Sequence, residues 1–137
     1  MYKSLLALPL LLASVANPSS PFTGTWEGSM NDQPAIELTI DDVGGKIGGR
    51  IVFSFQRRGE DGKWRVEGGK NPTPLLAPVV KGKLLTFEVT HRKHHGSAEL
   101  GPNARFRVEL TGPDQARLFK TDEPPDGGPG LRLTRRP

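Results

Sequence analysis

Cysteine is absent from this 137-residue chain, which excludes a disulfide framework, a thiolate metal site, a cysteine nucleophile and a lipid-modified cysteine. Small secreted eukaryotic domains usually lean on disulfides, so a Cys-free exported domain of this size points to a bacterial source. Every Asn-x-Ser/Thr tripeptide, Asn71-Pro72-Thr73 among them, has proline in the middle and cannot be glycosylated. No helical periodicity of useful length follows residue 16, and no internal repeat or domain linker is evident. Histidine is scarce as well: all three lie within His91-Arg92-Lys93-His94-His95.

The N-terminus has a different character. Lys3 precedes the apolar run Leu5 to Leu12, and the small residues Ser14 and Ala16 bracket Val15 in the pattern of a signal-peptidase site. The run is too short and too interrupted by Pro9 to cross a bilayer, which takes about 20 apolar residues. Residues 1–16 therefore read as a cleaved signal peptide, and 17–137 as one exported domain, secreted or periplasmic, without stable membrane insertion. Cleavage removes Lys3 and no acid, so 18 basic and 15 acidic residues leave a net charge of +3. The two signs are interspersed, which describes a solvated surface rather than a polyanion-binding face and gives no reason to expect nucleic acid as a partner.

Beyond residue 20 apolar and polar residues alternate in segment after segment, separated by turn residues at spacings near ten. Strands are predicted at 23–30, 35–42, 47–57, 63–67, 75–80, 84–91, about 105–110, 116–121 and 131–135. Pro78 marks 75–80 as an edge strand. In the third strand Ile47, Ile51, Phe53 and Phe55 are expected to point inward, and in the fourth Trp64 and Val66. Gly48 and Gly49 suggest a bulge or sharp bend. Leu85, Phe87, Val89 and His91 share one face of the sixth strand, and Phe106, Val108 and Leu110 one face of the seventh. The fold class is all-β, an antiparallel up-and-down meander of eight to nine strands. So long an open sheet would expose its edges, so a closed or nearly closed barrel is expected.

Phe22-Thr23-Gly24-Thr25-Trp26-Glu27-Gly28 resembles the Gly-x-Trp opening of the lipocalin and calycin barrels, and the layout of the mature chain is similar to small secreted bacterial lipocalin-like proteins. The resemblance implies a barrel plugged at one end by Trp26, with an arginine of the last strand lying across the indole. Arg135 shares strand parity with Leu131 and Leu133 and is the residue expected there. Lipocalins proper are longer and carry a helix, which this chain lacks.

Few motifs carry chemistry. The three histidines could hold Zn²⁺ or Cu²⁺, yet Arg92 and Lys93 place two fixed positive charges beside any cation, which favours a solvated basic strand end or an anion site. Gly44-Gly45-Lys46-Ile47-Gly48-Gly49 lacks phosphate-loop spacing and reads as a hairpin. Asp41 and Asp42 face opposite sides of a strand and cannot act on one bond. Ser97 has no nucleophile elbow around it.

The reading is thus a non-enzymatic binding module without cofactor or metal. Phe53, Phe55, Phe87 and Phe106 line either a filled core or a pocket for a small hydrophobic ligand, and His91, His94 and His95 offer an anionic one. An enzyme or metal-handling protein built on the histidines and a protein-interaction domain are the competing classes. Alternation of strand direction groups the loops after the second, fourth, sixth and eighth strands, among them 68–74, 92–102 and 122–130, at one end. His94 and His95 are expected there near Lys70, Asp122, Glu123 and Asp126. Anion binding at that end is expected to tighten as pH falls from about 8 to 6, where an imidazole ordinarily gains its proton.

Overall fold

The computed structural model describes residues 20–68, 71–91, 98–121 and 130–137. Residues 1–16, expected to form the signal peptide, lie outside them. So do His94, His95, Lys70, Asp122, Glu123 and Asp126. Eleven strands follow in order: β1 (Gly24–Met30), β2 (Gln33–Val43), β3 (Lys46–Phe53), β4 (Phe55–Arg58), β5 (Trp64–Gly68), β6 (Thr73–Pro74), β7 (Leu76–Lys81), β8 (Leu84–Val89), β9 (Ala104–Gly112), β10 (Gln115–Lys120) and β11 (Leu131–Arg135).

Nine of them form one antiparallel up-and-down sheet in the order β6-β3-β2-β1-β11-β10-β9-β8-β7. The sheet's two edge strands, β6 and β7, are consecutive in the chain and separated by Leu75 alone. The sheet is therefore nearly closed into a barrel, with one extended stretch pairing to β3 through its first part and to β8 through its second. Leu75 itself is buried, and its N–H donates to Gly49 O at 3.0 Å. The stretch expected to be an edge strand is thus the seam of the barrel. Pro78 sits where the β7–β8 register slips between Leu76 and Val79, and Ala77 adopts a positive φ of 47°. A bulge is one of the few sheet positions that tolerates a missing ladder donor.

Alternation explains the interior. On β8 Leu85, Phe87 and Val89 are buried while Leu84, Thr86 and Glu88 are more exposed. Trp26, Leu38, Ile51, Leu85, Val108, Ala116 and Leu133 are fully buried from seven different strands, and they form one core with Phe22, Ile40 and Leu118. Each of the larger side chains contributes roughly 1.5–3 kcal/mol on leaving water. β1 also pairs with β11, with Trp26 opposite Arg135, and Arg136 N–H donates to Thr25 O at 2.7 Å.

Two expectations need correction. The third strand ends at Phe53, and Ser54 N–H, donating to Ala35 O at 2.8 Å, makes the last bond of the β2–β3 ladder. From Phe55 the chain forms a separate β4–β5 hairpin outside the nine-stranded sheet. Phe55 and Trp64 are consequently not core residues; they are 55% and 38% exposed. The second correction concerns Gly48 and Gly49, where the β2–β3 register runs without a slip. Gly49 is required instead by close approach, because a Cβ there would lie 2.0 Å from Thr39 O.

Candidate functional site

The barrel has two unlike ends. At one, Trp26 is completely buried and its Nε1 donates to Phe22 O at 2.8 Å. The Arg135 guanidinium lies over the indole, with Cζ 4.4 Å from the ring centroid. Its nitrogens are all engaged: Nη1 donates to Thr23 O, Nη2 to Pro21 O at 2.8 Å and Pro113 O at 2.7 Å, and Nε to Asp114 Oδ1 at 3.0 Å. A guanidinium so occupied has little left to offer a ligand. Beside it Asp42 accepts from Ser20 N at 3.2 Å and Gly45 N at 3.0 Å, fastening the incoming chain and the β2–β3 turn. This end is sealed.

The other end is open among the described residues. It surrounds a cavity of about 1120 Å³ whose lining includes Ile36, Phe53, Val89, Ala104, Phe106 and Leu131. Phe106 holds the aromatic floor together, with its ring centroid 5.6 Å from Phe87 and 5.8 Å from Phe53. Around the rim stand Met30, Phe55, Trp64 and Leu100, which are exposed hydrophobic residues that also line the cavity. Polar lining comes from Ser54, Gln56, Asn71, Thr73, Thr90, His91 and Lys120 among others.

The β4–β5 hairpin forms one wall of the mouth, and Gln56 ties it to the β1–β2 turn. Gln56 Nε2 donates to the carbonyls of Met30, Gln33 and Pro34 at 2.9, 3.2 and 3.0 Å, and its Oε1 accepts from Asn31 Nδ2 at 3.0 Å. The target is the tight β1–β2 turn, where Asn31 and Asp32 both have positive φ, 56° and 60°. That is the backbone of a two-residue hairpin turn, for which Asn and Asp are suited. The hairpin also carries exposed ion pairs, Arg57–Glu67 at 3.1 Å and Arg65–Asp61 at 2.6 Å.

Of the residues singled out from the sequence, Phe53, Phe55, His91 and Phe106 meet at this cavity. Phe87 lies beneath, 2% exposed, as support for Phe106. His94 and His95 are outside the described residues. The residues bracketing the loops at 68–74, 92–102 and 122–130 are all at this open end, since Asn71, Thr73, His91, Leu100, Lys120 and Leu131 line the one cavity. The turn after the second strand, at 43–46, is not with them. It lies at the sealed end, because the hairpin outside the sheet takes no part in the alternation of strand direction.

Lys120 went unrecognised in the sequence. The signal was parity: Ala116 and Leu118 are buried, and Lys120 is next in their row, opposite Phe106. Among the described residues, no group of three or more His, Asp or Glu is placed to hold a metal ion, and no helix is long and apolar enough to cross a membrane.

Together these features define a nearly closed antiparallel barrel with a Trp–Arg seal at one end and a cavity at the other, an architecture consistent with a calycin-type fold. Comparison with protein families, curated proteins and solved structures finds no match.

Proposed function

We propose that this is an exported, non-enzymatic, lipocalin-like protein that holds a small hydrophobic molecule in the cavity at its open end. One observation carries the reading: a cavity of about 1120 Å³ with an aromatic and aliphatic floor opens from a barrel whose opposite end is sealed. Sites for small molecules are concave, mostly apolar and about 300–1,000 Å³ in volume, with a few polar groups that orient the ligand. The apolar rim supports the same reading, since exposed Met30, Trp64 and Leu100 beside the cavity suit contact with an apolar molecule. The leader-like residues 1–16 supply the argument for export.

Native mass spectrometry of protein purified from its own host tests the proposal, and a retained small molecule is the expected result. Titration with the neutral fluorophore N-phenyl-1-naphthylamine complements it. One molecule should bind per chain, and Ala104→Trp, which projects an indole into the cavity from beside Val89, should weaken binding by at least about tenfold. Equal binding by a folded Ala104→Trp variant would move the site elsewhere.

A further inference from the structure

The cavity is apolar in its floor but not neutral in its ionisable groups. Among the described lining residues there is no Asp or Glu, and the ionisable side chains are His91 and Lys120. Lys120 follows Ala116 and Leu118 along the inward row of β10 and faces Phe106 across the β9–β10 ladder. His91 follows Leu85, Phe87 and Val89 in the same way beyond the end of β8, and its carbonyl accepts from Gly101 N at 2.8 Å, which fixes the backbone there.

The carboxylates of the neighbouring strands stand on the other face of the sheet. Glu88 is opposite Arg105, and Glu109 is opposite Arg117. No described residue forms an ion pair with Lys120, as holds for the other described lysines; what sets Lys120 apart is its place on the cavity lining. An ammonium at the edge of an apolar cavity is stabilised by a charge-assisted hydrogen bond far more than by an apolar neighbour.

We propose that the ligand is an anionic amphiphile, a molecule with an apolar body and one negatively charged head. The body rests on Phe53 and Phe106, and the head meets the Lys120 ammonium, with the His91 imidazole as a second donor. This rests on the cavity being the binding site and adds the sign of the ligand's charge.

The test compares dodecanoate with dodecanol, which share a chain and differ in the head, by calorimetric titration of the mature protein. Dodecanoate should bind about tenfold or more tightly than the alcohol. Lys120→Met should abolish that preference by weakening dodecanoate binding about tenfold, Lys120→Arg should keep it, and Lys120→Glu should transfer it to dodecylammonium. Lys120 is exposed at a strand end, so thermal melting of the variants should match the parent. Equal affinity of the parent for dodecanoate and dodecanol, or equal loss of both in Lys120→Met, would overturn the anionic head and leave the cavity reading standing. Binding of neither compound would overturn both.

Discussion

At Gly49 the backbone has φ +154°, and any side chain would begin 2.0 Å from Thr39 O. The same residue's carbonyl accepts from Leu75 N, where the barrel closes. One position thus sets both the β2–β3 spacing and the seam. Its neighbour Gly48 has open space where a methyl group would project and no positive φ. Gly49→Ala should therefore cost about 3 kcal/mol or more, and Gly48→Ala within about 1 kcal/mol. Denaturant midpoints of the two variants check this, and similar midpoints would show that the β2–β3 spacing relaxes freely. From the sequence the glycine pair was legible as a special place, but which of the two mattered was not, because the constraint comes from the neighbouring strand, at Thr39. Trp26 and Arg135 were legible for the opposite reason: parity and a short motif act within single strands.

Hairpin β4–β5 shows where local pattern fails. Phe53, Ser54 and Phe55 continue an alternating strand as written, and nothing nearby announces that it leaves the sheet. The cause lies in Gln56 reaching residues 22 to 26 positions away. The loop of this hairpin has a titrating brace. Asp61 accepts from Arg65 and from Lys63 N, and these bonds hold its carboxyl below the ordinary value of 3.8. A depressed carboxylate contributes stability that is complete above its unfolded pKa and lost as pH falls through the folded one. The Lys63 amide proton should accordingly titrate in NMR with a midpoint below 3.8, and Asp61→Asn should abolish that titration. A midpoint at or above the ordinary value would mean the brace does not persist in solution.

For the whole molecule, regular alternation and turn spacing sufficed to predict an all-β meander that closes. Two features stayed hidden. Cavity and filled core have the same inward pattern, since Phe87 is buried while Phe53 and Phe106, of equal parity on their strands, line open space. The grouping of the long loops was legible by counting strands, yet the turn at 43–46 was misplaced because β5 looked like a barrel strand. That exposed turn, with Gly44 and Gly45 at φ 61° and 83°, is a natural place to cut the chain. A circular permutant that begins at Gly45, ends at Gly44 and joins Pro137 to Ser20 through a short Gly/Ser linker should fold cooperatively and bind N-phenyl-1-naphthylamine like the parent. Failure to fold would mean that chain order, not only strand pairing, is required.

The pairing of β1 with β11 has an orientational side. Because these strands enter and leave at the Trp26–Arg135 seal, a tether, fusion partner or solid support attached beyond either Ser20 or Pro137 holds the barrel by its sealed base. The mouth then faces away from the attachment, so immobilised protein should stay accessible to molecules arriving from solution.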